Sequence, residues 1–208
     1  MSLMASGNSG SNFEPIPAGT YAAVCYMLVD LGMQETEYKG AKKTSQKCQI
    51  GWEIPELTMQ MDGEDVPRVI SKRYTVSLNE RASLRQDLAA WRGRDFTEEE
   101  LAGFDLRNVV GASCLIQINH QDVNGKTYSN IQSIMAMPRG MEKPKPTGRK
   151  IIYDIDADPT SAAEFLPEWI RKIVKESESY QKKVLEEANA NGKTGFEEMD
   201  EVDGEIPF

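Results

Sequence analysis

Residues 68–92, RVISKRYTVSLNERASLRQDLAAWR, decide the fold, because the hydrophobic period changes inside them. Residues 68–76 are rich in β-branched and aromatic side chains and read as a strand. From residue 79 to 92 the apolar positions Leu84, Leu88 and Trp91 fall at helical spacing, and Asn79 or Ser77 is placed to cap the start. Working downstream, Thr97 followed by Glu98, Glu99 and Glu100 predicts a second short helix, with carboxylates at the positive end of its dipole. After Phe104-Asp105-Leu106 the strand period returns. Residues 112–119 (ASCLIQIN) and 126–135 (KTYSNIQSIM) flank an Asn124-Gly125 turn.

Upstream, residues 20–31 (TYAAVCYMLVDL) read as a strand, and residues 32–45 as a polar loop carrying Lys39, Lys42 and Lys43. Residues 46–54 alternate, with Cys48, Ile50, Trp52 and Ile54 on one face and Lys47, Gln49, Gly51 and Glu53 on the other. Asp62-Gly63 then turns the chain into the strand at 68–76. Three strands, a helical insertion and two more strands is the order of a mainly β, five-stranded oligonucleotide/oligosaccharide-binding (OB) barrel, with its helix between strands three and four. The barrel accounts for residues 13–140. The Gly/Ser-rich residues 1–12 form a flexible leader, and Met1-Ser2-Leu3 reads as an addition before Met4.

Beyond Gly140 the composition shifts. Residues 141–158 hold a basic, proline-rich run and read as an extended linker. A helical segment follows over 159–190, starting at Pro159-Thr160-Ser161, with Phe165, Trp169, Ile170 and Ile173 as its apolar residues. Whether it packs on the barrel, pairs with another protomer or stays partly free is open at this level. Residues 191–208 read as a disordered acidic tail. Charge divides accordingly: residues 1–150 carry 18 Lys+Arg against 18 Asp+Glu, whereas residues 151–208 carry 6 against 15. The net charge of −9 is thus a property of the C-terminal part, and does not argue against nucleic acid on the body.

Three well-separated cysteines (Cys25, Cys48, Cys114) read as reduced thiols in a cytoplasmic protein. With the single histidine, His120, they lack zinc-ligand spacing, and no cofactor is expected. Asp154, Asp156 and Asp158 imitate the start of a calcium loop, but Pro159 and Phe165 occupy the positions that need Gly and Glu. Gly192-Lys193-Thr194 lacks the upstream glycine and strand of a phosphate loop. The expected class is therefore not an enzyme. A metal-dependent nuclease accessory using the three aspartates is one alternative, and a replication adaptor that binds no DNA is another.

Several segments resemble a phage-encoded single-stranded-DNA-binding family: Pro17-Ala18-Gly19-Thr20-Tyr21, AWRGRDFTEEELAGFDL (90–106) and GKTYSNIQSIMAMPRG (125–140). The acidic run ending in Ile206-Pro207-Phe208 resembles the C-terminal tip of bacterial and phage members of that class. The resemblance implies an OB-fold protein that coats single strands during phage replication, recombination or repair inside a bacterial host. The segment over 159–190 departs from the bacterial pattern and leaves a homo-oligomer open. Phe208 unites a ring with the terminal carboxylate behind a stiff Pro207. With Asp203, Glu205 and Ile206 it suits an apolar pocket with a basic rim on a replication or repair protein.

Holding a single strand without sequence choice requires cations along the phosphates and rings for the bases. The cationic candidates are Lys39, Lys42, Lys43, Lys47, Arg68, Lys72, Arg73, Lys126 and Arg139. The ring candidates are Trp52, Tyr74, Tyr128 and His120. Trp52 shares the apolar face of its strand, the pattern of a core residue. Tyr74 follows Arg73 on the face of Lys72 and reads as a stacking ring, and Tyr128 lies in line with Asn130 and Gln132. Trp91 and its neighbours Arg92, Arg94 and Asp95 imitate a binding patch, but Trp91 sits at the apolar spacing of its helix.

Overall fold

The computed structural model describes residues 14–38, 40–61, 63–157 and 165–194, with the backbone alone at Tyr38 and 191–194. The chain is mainly β, as the period reading expects. Its strands are β1 (Gly19–Tyr38), β2 (Ala41–Met61), β3 (Glu64–Thr75), β4 (Ser113–Val123), β5 (Lys126–Met135) and the short β6 (Ile151–Tyr153). Between β3 and β4 lie α1 (Ser83–Arg92), α2 (Glu98–Ala102) and a single 3-10 turn at Leu106–Val109. After β6 come α3 (Glu168–Lys175) and α4 (Glu178–Thr194). The sheet runs β3-β2-β1-β4-β5 with antiparallel neighbours, and β6 pairs parallel with β1 at Met27–Val29. The ladders do not close on themselves, because β3 and β5 stand at the two ends of this order.

The expected loop over 32–45 is largely strand. Residues 32–38 and 41–45 form the outer halves of β1 and β2, a two-stranded ribbon in register from Met33↔Gln46 to Tyr38↔Ala41. Both faces of that ribbon are largely solvated, so its side chains carry no alternation of apolar and polar residues for a sequence to display. The β4–β5 hairpin turns at Asn124 (φ 51°) and Gly125 (φ 75°), the left-handed pair that a two-residue turn demands.

α1 begins four to six residues later than the caps proposed from sequence. Ser77 and Asn79 instead accept hydrogen bonds from the amides of Asn79 and Arg81 in the preceding turn, and Ala82 precedes the helix without a side-chain cap. At α2 the capping box is present. The Glu100 amide donates to Thr97 Oγ1 (3.3 Å), and the Thr97 amide donates to Glu100 Oε2 (3.0 Å).

Two apolar clusters lie on opposite sides of β1. One holds Cys48, Ile50, Trp52, Ile54, Tyr74, Leu84, Leu88 and Trp91 among others, closed over by α1. The other holds Tyr26, Met27, Val29 and Leu31, covered by Ile151 and Tyr153 of the β6 region and by Ile170 and Val174 of α3. The expected linker is thus partly packed. Thr147 anchors it by donating from its amide (2.8 Å) and its hydroxyl (2.5 Å) to the buried carboxylate of Glu53. The C-terminal helices belong to the same body. Their junction sits at Gly32, where φ is +69° and a Cβ would lie 2.6 Å from Ser177 Oγ. Pro159, Thr160, Ser161 and Asp158 lie outside the described residues, as does the tail from 195 onward. No helix among the described residues is long and apolar enough to cross a membrane.

Because α3 is part of this core, Ile170→Ala should cost about 2–5 kcal/mol by leaving a cavity against β1. Leu185→Ala, at an exposed position, should stay within about 0.5 kcal/mol. Urea midpoints of the two variants check this, and equal midpoints would show that α3 contributes nothing to the folded core.

Candidate nucleic-acid interface

Where the sheet fails to close, the N-terminal lead-in bridges the gap. Arg68 on β3 donates to the carbonyls of Pro15 (3.1 Å) and Glu14 (2.8 Å). From the other side, His120 Nε2 lies 2.8 Å from the Ile16 carbonyl, which also accepts from Ser129 Oγ (3.0 Å). Ile16 itself is buried in the core. Arg68 Nη1 and Nη2 and His120 Nε2, all on candidates for holding a strand, are therefore placed on backbone carbonyls.

Further along the same seam a cleft of about 560 Å³ remains open. Ser71, Lys72 and Arg73 line it from β3; Asn119, His120 and Gln121 line it from β4; Asn130, Ile131 and Gln132 line it from β5. As an end strand, β3 borders the cleft with its edge and with side chains of both faces. Asn130 Nδ2 donates to Gln121 Oε1 across the two strands (3.0 Å), and the amides of Asn119 and Gln132 can donate to phosphate or base edges and accept from bases. Sequence reading places Asn130 and Gln132 only as neighbours of Tyr128 and does not single out Asn119 and Gln121. Their signal is the polar row that alternates along both strands.

Tyr128 is half exposed and stands opposite Gln121, two pairs from Asn119↔Asn130. Lys126 precedes it by two residues on the same strand face. The cleft therefore continues along the β4–β5 hairpin as a polar surface with one open ring and one cation. Arg73, Lys126, Arg139 and Lys43 are exposed, and none takes part in an ion pair among the described residues.

The remaining candidates are placed otherwise. Trp52 is fully buried, 5.7 Å from the Trp91 ring, so neither indole offers a face to a base. Tyr74 is only 2% exposed and donates to Asp87 Oδ2 at 2.7 Å, which corrects its reading as a stacking ring. Lys72 Nζ reaches the same oxygen at 2.6 Å. Asp87, from α1, thus turns the Lys72/Tyr74 face inward, and of the trio 72–74 only Arg73 points to solvent. Lys47 donates to Thr75 Oγ1 (2.6 Å), and Lys42 makes an exposed pair with Glu35 (2.8 Å) that contributes little. Lys39 lies outside the described residues.

The patch around Trp91 is also structural. Arg92 pairs with Glu100 and lies 4.5 Å over the Phe96 ring, and Arg94 bonds the same carboxylate at 2.7 Å. These arginines, with the capping amide of Thr97, hold the Glu100 carboxyl down at about 2. The three cysteines are buried, and burial pushes Cys25 and Cys48 up to about 12 and Cys114 higher still. Asp156 pairs with Lys183 at 3.2 Å, and no cluster of three or more His, Cys, Asp or Glu among the described residues is arranged to hold a metal. Asp203, Glu205, Ile206, Pro207 and Phe208 lie outside the described residues. In comparisons with known proteins, no family model and no curated protein matches the chain.

Burial first, and then the Asp87 carboxylate, push the Tyr74 phenol far above its usual value of 10.0. The unfolded chain then loses this proton before the folded one does. The stability Tyr74 confers is complete below about pH 10 and declines as pH rises above it. Tyr74→Phe should cost about 1–3 kcal/mol at pH 7 and should remove that part of the alkaline decline. Urea midpoints of the two proteins between pH 8 and 11 test the linkage, and parallel profiles above pH 10 would refute it.

Proposed function

We propose that the protein binds single-stranded DNA without sequence choice through the seam between β3 and the β4–β5 hairpin. The observation that carries this reading is the sorting of its charges. Lys72 of the lining, Arg68, also on β3, and Arg92 on α1 are tied to carboxylates or carbonyls, whereas Arg73 and Lys126 flank a polar cleft with Tyr128 exposed beside it. Such a groove tracks phosphates with its cations and accepts any base on its ring.

The strand order supports the assignment to an OB barrel. In β3-β2-β1-β4-β5 the first strand is shared between two hairpin systems, and the helical insertion falls after the third strand. That is the connection order of the OB fold, with the seam as its partly open side. On this reading the protein is not an enzyme and needs no cofactor. It coats single strands in phage replication, recombination or repair, in the cytoplasm of a bacterial host. Its acidic tip recruits replication or repair proteins through the ring and carboxylate of Phe208.

Labelled oligo-dT should bind in clear preference to duplex of equal length, with affinity that falls as salt rises. Tyr128→Ala should cost on the order of 1–3 kcal/mol of binding. Arg73→Ala with Lys126→Ala should lower the salt slope by roughly 0.7 for each phosphate no longer neutralised. Fluorescence anisotropy at two salt concentrations checks all three; equal binding to duplex, or parent-like binding by both variants, would sink the assignment. Separately, deleting Phe208 should leave oligonucleotide binding intact and abolish capture of replication proteins by the immobilised chain. Undiminished capture would reject the anchor.

A further inference from the structure

On the opposite side of β1 from the α1 core, a second surface combines rings with cations. We infer that α3 and the segment over 141–150 form a further single-strand contact, in which Trp169 stacks on a base. The inference rests on the reading of this chain as a single-strand binder, and it adds a surface outside the five-stranded unit.

Trp169 is 50% exposed, and Phe165, four residues before it, is 52% exposed. Large aromatic rings left in water so close together are unusual beside a helix that has an apolar face to bury. α3 does have such a face. Ile170 and Val174 are fully buried against β1, so the helix is correctly seated and its aromatic side still points out. Arg171, Lys172 and Lys175 share the surface with Trp169, and Glu168 and Glu176 are its acidic members. Lys172 approaches Glu176 only to 4.0 Å, with both side chains mostly exposed, which leaves the ammonium available.

The basic run over 141–150 starts beside Ala22, Pro55 and Glu56 and leads into the apolar cluster that α3 covers. Ile151, which follows Lys150, and Ile170, which follows Trp169, are buried in one cluster. Lys143, Lys145 and Lys150 are exposed along that run, which Thr147 fixes to Glu53. Together the segments 141–150 and 168–176 carry seven Lys+Arg against three Glu, although residues 151–208 as a whole are strongly acidic. A local basic excess with an open indole is the chemistry that recognises a polyanion bearing flat bases. A protein partner sought by its apolar side would be served by the rings without the cations.

The chain supplies its own probe. Of its three tryptophans, Trp52 is 0% and Trp91 6% exposed, so quenching by a bound base reports on Trp169. Unlabelled oligo-dT, titrated into the full chain, should quench tryptophan emission in step with the anisotropy of a labelled oligo-dT. Trp169→Ala should abolish the quench, weaken binding about 5- to 150-fold, the range expected for one stacked base, and leave the urea midpoint unchanged. Lys172→Gln with Lys175→Gln should lower the salt slope by about 1.4. Binding seen by anisotropy with unaltered emission, and parent-like affinity of Trp169→Ala, overturns this contact while leaving the seam intact. Emission that shifts with protein concentration in the absence of DNA overturns it in favour of an interface between copies. No anisotropy change at all rejects the parent reading and this contact with it.

Discussion

Burial of both faces of β1 is the constraint on which the rest of the molecule depends. From Ala23 to Val29, and again at Leu31, every side chain is buried. A strand with two apolar faces must be covered twice, and the chain supplies two covers of different origin. α1 and the curled sheet close one side. β6 and α3 close the other, reached only after the five-stranded unit is complete. Register shifts between Cys25 and Met27 and between Asp30 and Gly32 allow one long strand to serve both. β1 can therefore pair with β4 at its start, β6 at its middle and β2 along most of its length.

That double burial is present in the sequence, although assigning a strand does not by itself extract it. TYAAVCYMLVDL is a nearly continuous apolar run, whereas a strand with one solvated face alternates. Such a run demands a second covering layer, and the helical segment with Ile170 and Ile173 is the apolar stretch left over to provide it. The elements legible from sequence have strong local grammar: the change of period across 76–84, the Thr97 capping box and the Asn124-Gly125 turn. Those that escape it have little or none. The ribbon over 32–45 has no buried face, and β6 is three residues long and held by its neighbours.

The site is legible in its residue types and less so in their directions. Alternation correctly places Lys72 and Tyr74 on one face of β3, but charge suggests that this face is wet. The face turns inward because Asp87 lies on α1 between Leu84 and Leu88, where the helix meets β3. A carboxylate delivered from a distant segment satisfies both the ammonium and the phenol, which makes their partial burial tolerable. No pattern within β3 announces that partner. Tyr128 is easier, because its neighbours at two-residue spacing, Asn130 and Gln132, are amides rather than apolar side chains.

The same logic explains why Arg73, at the seam, is left without an ion pair among the described residues. At the seam the two end strands do not pair with each other, and side chains of β3 and β4 reach the carbonyls of the lead-in at 14–16 along one stretch of it. Side chains bordering the rest must be polar, yet an ion pair across the gap would close it. Arg73 faces amides from β4 and β5 with no carboxylate lining the cleft. An opening in a sheet exposes edges that invite unwanted pairing, which proteins normally blunt with charge or cover. Here the edge carries charge and hydrogen-bond donors beside a groove, so under the proposed function the device that prevents edge pairing would also present a phosphate track. One arrangement would then meet both needs, and the unclosed ladder is what makes the protection necessary.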